Sequence, residues 1–420
     1  MHLLLFIGGA LLRLYLMSNS FFKNLCDGTI FSTPLTSWSR VTEGYFLMQQ
    51  GISPYEGDMV HESPLTLILY SFLIKYCEAW IPIIFILVDI CTAHILMLTA
   101  QAFIKKQLLE QKARPPPASG AAPLPVTEEQ LQPTARLVAA VYLFNPCTAV
   151  SCAALSTAGL HQLPLALVFY TAVTGRWPAC VACLGVSCYL DLYPAVLLVP
   201  LLALAADAGR SRLLTALGCA AVTGALLLLS AHGLGGWSFL RATYGFMLWT
   251  WDLSPNVGLF WYFFTEMFQH FESLFIATFQ INAFIYAVPL TLRFRDRPVL
   301  VMFALLVLMV IFKSYPSVAE AGLYLALLPL WRPLAPYARY AFPVSCFYLS
   351  VTVLAPVMWT LWIHAGSANA NFFFAVTLAY NAAQIFLVTD LLFAQLKRDH
   401  ALRHGSNTEV DGKPAKLVLC

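Results

Sequence analysis

The chain contains 420 residues, of which 60% are hydrophobic and only 11% are charged, and its formal net charge is +3. So few charges cannot cover the surface of an aqueous protein of this length, which excludes an ordinary soluble fold. The small net charge gives no sign of a nucleic-acid partner, and we expect none. Apolar stretches such as Trp80–Phe103 and Phe372–Leu396 can cross a hydrocarbon core, which needs about 20 helical residues. The chain is therefore predicted to be an integral membrane protein.

The N-terminal region begins with the apolar stretch Met1–Met17, which is interrupted by Arg13. It lacks both the leading basic residues and the small-residue cleavage site of a signal peptide, so we predict a retained first helix. A polar and aromatic loop, 18–64, follows, and its segment Trp38–Met48 is predicted to form an amphipathic interfacial helix. Leu65–Tyr76 is apolar but too short to span, and we expect it to lie in the membrane surface or to re-enter it.

The region after the span Trp80–Phe103 is a linker, 105–133, whose Lys, Pro, Ala and Gly residues cannot bury a core. A second large loop, 231–271, interrupts the later spans, and we expect an interfacial segment around 256–271. The sequence thus predicts an all-α polytopic membrane protein with about twelve transmembrane helices. The remaining predicted spans are 134–155, 160–175, 177–190, 192–208, 211–231, 272–292, 298–313, 317–331, 341–363 and 372–395.

The basic residues fall on one side of the membrane in this arrangement, which by the positive-inside rule is the cytosol. Both termini are then cytosolic, as is the linker, whereas the loops 18–64 and 231–271 are luminal. We predict a single transmembrane domain, 1–396, followed by a cytosolic tail, 397–420. The basic residues that set this orientation are Lys105, Lys106, Lys112, Arg114, Arg176, Arg210, Arg212, Arg293, Arg295, Arg297, Arg332, Arg339, Lys397, Arg398 and Arg403.

The predicted luminal turn Gly366–Asn371 carries Ser367, Asn369 and Asn371 in quick succession. Amide side chains both donate and accept hydrogen bonds, which suits sugar hydroxyls and phosphate oxygens. Alternatively, these residues form a tight turn and cap the next helix at Asn371. Both interpretations remain open.

Two other predicted luminal segments carry candidate binding residues. Lys313 ends an apolar span beside Tyr315, where it could meet an anionic phosphate or simply extend its amine to the interface. The aromatic run Asn256–Phe264 places Phe260, Phe263 and Phe264 on one helical face. Such a face serves as an interfacial belt, as a subunit contact or as a platform that stacks on a sugar ring.

Two acidic residues, Asp89 and Asp191, lie within apolar runs or at their ends. A charge at membrane depth is costly, so it normally faces a partner or water. We expect both carboxylates to be structural.

The first loop resembles that of the C-type glycosyltransferases, which transfer sugars from dolichol-phosphate donors. The resemblance rests on Glu43-Gly44, Ser53-Pro54-Tyr55 and Pro64-Leu65, in that order between the first two spans. In the mannosyltransferase branch an acidic motif precedes this stretch, and one carboxylate is the general base. The corresponding segment here, Ser32–Arg40, contains neither Asp nor Glu. The scaffold therefore resembles a glycosyltransferase without its catalytic acid.

Four later carboxylates remain candidates for a displaced base. They could equally cap turns or pair with Arg40 and His61. The four are Glu43, Glu56, Asp58 and Glu62.

Three longer strings identify a more specific resemblance, to the PIG-U family of GPI transamidase subunits. They are Pro255–Phe268, Phe312–Ser317 and Leu361–Phe373. With the first-loop strings, the resemblance extends from Leu35 to Arg398.

Membership would imply a glycosyltransferase-C-like scaffold that acts as a non-catalytic subunit in the endoplasmic reticulum membrane. A caspase-like partner subunit would supply the nucleophile, and this chain would bind and present the GPI lipid. The implied partners are the other transamidase subunits, the GPI glycolipid and membrane lipids. We expect no catalytic residue, metal or cofactor. The candidate lipid-binding residues are Asn369, Asn371, Ser367, Lys313, Tyr315 and Asn256.

Two rival functions remain open at this stage. An active dolichol-phosphate-dependent glycosyltransferase of the GPI pathway is favoured by the loop organisation and disfavoured by the missing acid. A transporter or scramblase would also have many spans, but such proteins often show internal repeats, and we detect none in this sequence.

Overall fold

The structure is a computed structural model that describes residues 2–19, 31–113 and 127–404, together with the backbone of 409–410 and 413–414. The regular secondary structure of the described residues is helical, apart from a two-residue antiparallel pairing of Glu409–Val410 with Lys413–Pro414. Residues 114–126 of the predicted linker, 105–133, lie outside the described residues, whereas 105–113 and 128–133 are helical and correct the linker bounds.

The first half of the described chain contains helices of very different lengths. Short 3-10 turns, Glu78–Trp80, Glu128–Gln130 and Tyr193–Leu197, join or precede some of them. The α-helices are α1 (His2–Ser18), α2 (Trp38–Gln49), α3 (Pro64–Cys77), α4 (Ile81–Ala113), α5 (Leu131–Phe144), α6 (Pro146–Ala153), α7 (Ala158–Thr174), α8 (Trp177–Leu190) and α9 (Leu198–Asp207).

The second half adds two long helices near its end. A π-helical turn spans Arg241–Gly245, and 3-10 segments span Gln269–Phe271 and Leu328–Tyr337. The α-helices are α10 (Arg212–Leu234), α11 (Phe246–Trp249), α12 (Phe260–Glu266), α13 (Glu272–Asn282), α14 (Ala287–Arg293), α15 (Pro298–Phe312), α16 (Val318–Leu327), α17 (Ala341–Ile363) and α18 (Ala370–His404).

Several of these helices have the length and composition of membrane spans, so the chain is an all-helical polytopic membrane protein. A further bent pair, Glu128–Phe144 with Pro146–Ala153, passes the same test as one broken span. The prediction of about twelve spans also counts shorter apolar helices and stays a prediction. The five stretches that qualify outright are Pro64–Lys112, Arg212–Leu234, Gln269–Arg293, Ala341–Ile363 and Ala370–Arg403.

Helix α15 forms the centre of the main core. Every residue of Val299–Ile311 is buried, and the helix packs against α9, α16 and α18. A helix that is apolar on all sides is stable only when other apolar surface surrounds it. This explains why no polar residue interrupts the sequence here.

The long helical run from Pro64 is sharply bent. The rings of Tyr70 in α3 and Phe85 in α4 stack with centroids 6.3 Å apart, whereas 15 residues of straight helix would separate them by about 22 Å. The bend lies at the 3-10 turn Glu78–Trp80, and Trp38 of α2 packs edge-on against both rings. Helix α3 is therefore a separate element that folds back on α4, and its predicted position at the membrane surface remains a prediction.

The first helix is attached to the rest by a fully buried guanidinium. Arg13 donates to the Asp89 carboxylate at 2.7 Å and to the carbonyl oxygen of Leu143 at 2.7 Å. The prediction that Asp89 faces a partner is thus confirmed. Both side chains are at most 5% exposed, so the pair has almost no contact with solvent.

This buried pair leads to the first testable prediction. Asp89→Ala leaves the Arg13 charge uncompensated, and we expect it to lower the free energy of unfolding by about 3–5 kcal/mol. In the double variant Arg13→Met with Asp89→Leu no charge is buried, so most of that stability should return. Unfolding of the purified protein in mixed micelles would measure both effects, and a double variant as unstable as Asp89→Ala would contradict the prediction.

Candidate functional site

Lys313 does not reach the surface but lies in an internal ion-pair cluster. It follows the last residue of α15 and is only 3% exposed. Its Nζ donates to Asp191 Oδ2 and to Glu320 Oε1, each at 2.6 Å. The three charges add up to −1, so a phosphate would meet repulsion here. The geometry favours a structural role for Lys313, and Asp191 has the partner that was expected for it.

Glu320 also fixes the start of α16. Its second carboxylate oxygen accepts from the backbone N–H of Ser317 at 3.0 Å, and Ser317 Oγ caps the same helix. This is a capping box, with Ser317 at the N-cap and Glu320 three residues later. The Ser-x-x-Glu spacing was visible in the sequence and would have predicted that Glu320 folds back on the start of α16.

The predicted contact residue Tyr315 is buried and already hydrogen-bonded. Its hydroxyl accepts from the backbone N–H of Asp252 at 3.1 Å, and its ring stacks on Phe246 with centroids 4.8 Å apart. The neighbouring Ser314 donates to the carbonyl of Met247 at 2.8 Å. The corner after α15 is thus fastened to the segment 247–252 of the second large loop.

Asn256 forms a buried turn. It is 1% exposed, and its Oδ1 accepts from the backbone N–H of Gly258 at 2.7 Å while its Nδ2 donates to Ser254. A Cβ atom at Gly258 would lie 2.7 Å from the ring of Pro316, so only glycine allows this approach. The turn positions the second loop against the corner after α15, and Asn256 cannot reach an external ligand in this arrangement.

The turn before α18 holds the candidates that remain accessible. Asn369 is exposed, and its Oδ1 accepts from the backbone N–H groups of Asn371 and Phe372 at 3.1 and 3.3 Å. The cap of α18 is therefore Asn369, not Asn371 as the alternative interpretation had it. Gly366 adopts a positive φ of 63° within the turn, and Ser367 is exposed.

Asn371 is also exposed and connects the turn to α12. Its Oδ1 accepts a hydrogen bond from the hydroxyl of Tyr262, whose ring stacks on Phe374 with centroids 4.5 Å apart. Trp261 packs beside Trp362 of α17. An exposed polar turn thus borders a cluster of aromatic rings.

The predicted aromatic face of α12 is confirmed, and it points inward. Phe260, Phe263 and Phe264 each contact the ring of Phe279 in α13, with centroids 4.8–5.4 Å apart. This face is used for packing between helices, so it does not present rings to a sugar.

A cleft of about 970 Å³ lies between the first loop and the segment 237–253. Arg40 crosses it and donates to the Asp252 carboxylate at 2.9 Å. Burial raises the pKa of Asp252, but hydrogen bonds from Ser254 and Arg40 outweigh burial and hold that pKa below its usual value. The cleft was not predicted, because it combines loops about 200 positions apart. Other side chains that line it include Tyr55, Glu56, Asp58, His61, Trp237, Arg241 and Trp251.

His61 is held neutral in the wall of this cleft. It is 4% exposed, its Nδ1 donates to the carbonyl of Ala242 at 2.8 Å, and its ring stacks on Phe246 at 3.5 Å. Burial lowers the pKa of His61 to about 4. An uncharged imidazole at neutral pH follows.

The carboxylates proposed as a displaced base lie in different environments. Glu56 and Asp58 are exposed, whereas Glu62 is 4% exposed. Glu62 accepts from the hydroxyl of Thr157 at 2.9 Å, and its other oxygen lies 3.1 Å from Nε2 of His161. A Glu–His pair can move protons in principle. Here the bonds hold the carboxylate inside the fold.

Comparison with known proteins finds matches along most of the chain. The family model described as GPI transamidase subunit PIG-U matches residues 7–380. The human protein "GPI-anchor transamidase component PIGU" is 39% identical over 408 residues, which cover 92% of each chain. The "GPI transamidase component GAB1" of Saccharomyces cerevisiae is 31% identical over 389 residues, covering 91% of this chain and 92% of the yeast protein.

The buried imidazole predicts a pH dependence of stability. The pKa of His61 is about 4 in the folded protein, whereas that of an unperturbed histidine is 6.5, so the unfolded state binds the extra proton between these values. Stability should therefore be complete above about pH 6.5 and fall by roughly 3 kcal/mol as the pH drops to 4.

The variant His61→Gln should lose this part of the pH dependence, measured by denaturant titration between pH 4.5 and 7.5. The exposed His270 offers the matched control, since His270→Gln should keep the slope of the unchanged protein. An identical slope in His61→Gln and the unchanged protein would show that the imidazole is not held neutral.

Proposed function

The chain belongs to the PIG-U family of GPI transamidase subunits, and we propose that it is a membrane subunit of that transamidase in the endoplasmic reticulum. In this proposal it holds the GPI glycolipid and presents it to a catalytic partner. The names of the relatives do not favour the alternative of a dolichol-phosphate-dependent glycosyltransferase.

The observation that carries the lipid-holding part is the exposed turn before α18. Ser367, Asn369 and Asn371 all remain accessible there. The cap of α18 uses only Oδ1 of Asn369, and amide Nδ2 groups are suitable donors to sugar and phosphate oxygens. Because the neighbouring rings of Tyr262 and Trp362 belong to helices, a ligand here would rest against rigid elements.

The other candidate residues serve this turn indirectly in the proposal. Lys313, Tyr315 and Asn256 are buried and hydrogen-bonded within the protein. We assign them to positioning the second loop. Contacts to the glycolipid are assigned to Asn369, Asn371 and Ser367.

The cysteines support a nucleophile outside this chain. Every cysteine among the described residues lies in a helix. Cys152 of α6 and Cys180 of α8 are buried, whereas Cys91 and Cys346 are exposed on helices with the composition of membrane spans. Apolar surroundings disfavour the thiolate that a transamidase nucleophile requires. A partner subunit would supply the reactive thiol, which makes this chain non-catalytic.

The topology follows from the same proposal. We propose a glycosyltransferase-C-like scaffold of about twelve spans in one domain, 1–396, with both termini cytosolic. The loops 18–64 and 231–271 then face the lumen. The turn before α18 faces the same side, where lipid-linked glycan and partner subunits would meet it.

The cap geometry gives a direct test of the turn. Asn369→Asp keeps the Oδ1 acceptor and suits a helix N-terminus, but it removes the Nδ2 donor. We expect anchor attachment to fall roughly fivefold, the effect of about one lost hydrogen bond, while the complex assembles normally. Surface display of a GPI-anchored reporter, together with pull-down of the complex, would measure both quantities.

The control is Gln50→Glu, which makes the same amide-to-carboxylate change at an exposed position of the first loop and should leave attachment unchanged. Asn369→Leu removes the cap as well and should be more severe. If Asn369→Asp attaches anchors normally and Asn369→Leu fails to assemble, the turn is structural only and the assignment of the lipid contact is wrong.

A substitution of Glu62 distinguishes the proposed subunit role from that of a glycosyltransferase. In a glycosyltransferase that used this carboxylate as its base, Glu62→Gln would stop one sugar transfer, and a truncated glycan would accumulate. We expect the complete glycolipid precursor to accumulate instead, as mass spectrometry of extracted lipids would show. A precursor that lacks one sugar would identify this chain as an enzyme.

A further inference from the structure

A cavity of about 210 Å³ lies in the angle between α3 and α4. The end of α6 and the start of α7 close its inner side. It is separate from the turn before α18 and from the cleft beside His61, which other residues line. Engineered cavities of about 150 Å³ hold benzene, so this volume can take a molecular fragment.

Four buried polar atoms that line the cavity lack a hydrogen-bond partner among the described residues. They are Tyr70 Oη, Ser151 Oγ, Ser156 Oγ and Gln162 Nε2, in side chains that are 2–3% exposed. A buried polar atom without a partner is costly, and native structures contain few of them. Four such atoms around one cavity indicate an occupant that forms hydrogen bonds.

The unpaired groups define the chemistry of that occupant. Gln162 Oε1 already accepts from the hydroxyl of Tyr142 at 2.7 Å, which leaves Nε2 as a pure donor. The hydroxyls of the two serines and of Tyr70 can also donate. Asp89, the charged residue in the lining, is neutralised by Arg13. The occupant therefore needs acceptor oxygens and gains nothing from a net charge.

The outer wall of the cavity is apolar. Leu69 and Leu73 of α3 face Ile84 and Val88 of α4 across the opening. Leu69 is 47% exposed, so this wall borders the surface that a bilayer would cover. An occupant that enters here needs an apolar body as well as its acceptor oxygens.

We propose that this cavity binds the ester end of an acyl chain of a membrane glycerolipid. The ester carbonyl accepts from the donors on the floor, and the first methylene groups lie against the leucines of the wall. The site differs from the proposed glycan contact and depends on different residues. A bound lipid would join α3 to α4 and thus support the first loop.

The sharpest probe is a pair of phosphatidylcholines that share head group and chain length, one with ester and one with ether linkages. The ether form lacks the carbonyl oxygens. The purified transamidase complex is exchanged into nanodiscs that contain equal amounts of both, re-extracted into detergent, and its retained lipid is counted by mass spectrometry. We expect the ester form to be retained roughly fivefold more often, a preference of about one hydrogen bond.

Two variants attach that preference to the cavity. Ser151→Leu fills the space, and Ser156→Ala removes one donor without adding bulk; both should abolish or strongly reduce the preference. Ser350→Leu is the control, because it makes the same serine-to-leucine change at an exposed position of α17 and should keep the preference for the ester lipid. Because Ser156→Ala adds no bulk, it still tests the proposal if the complex with Ser151→Leu does not assemble. Equal retention of both lipids by the unchanged complex, or a preference that survives Ser156→Ala, would overturn the proposal and leave water as the occupant.

Discussion

The buried amine of Lys313 is the interaction on which the arrangement of the predicted luminal side depends. It joins the end of α15 to the end of α8 through Asp191 and to the start of α16 through Glu320. Removing an ammonium group from water is so unfavourable that a buried one is stable only beside groups of opposite charge. Three helix ends are therefore held at one point, and the second large loop is built against that corner.

The limits of several helices were predicted from the sequence more accurately than the contacts between helices. Helices α2, α8 and α17 begin and end within a residue or so of their predicted limits, because apolar length and helical period are local properties. The partner of Lys313 could not be found in this way, since Asp191 is 122 positions distant. The same holds for the cleft beside His61. Only the capping of α16 by Ser317 has a local sequence pattern, Ser-x-x-Glu, from which it could have been predicted.

The candidate site shows why polar residues in a membrane protein are weak indicators of ligand contact. Tyr315 and Asn256 have the chemistry of ligand-binding groups, yet both are buried and hydrogen-bonded to backbone groups. A loop packed on an apolar core must pair its buried backbone groups, and nearby polar side chains are the partners at hand. Asn369 differs because a helix start leaves backbone donors at the surface, so its cap leaves the amide accessible.

A scaffold that presents a lipid without reacting with it must keep its own acids and bases away from the cargo. Glu62 is oriented inward by Thr157 and His161, and His61 is neutral within its wall. Both lie in the loop that, in the glycosyltransferases it resembles, provides the base. Both side chains thus have hydrogen-bond partners within the protein. In the proposed role, the chain orients a glycolipid and the bond-making step belongs to another subunit.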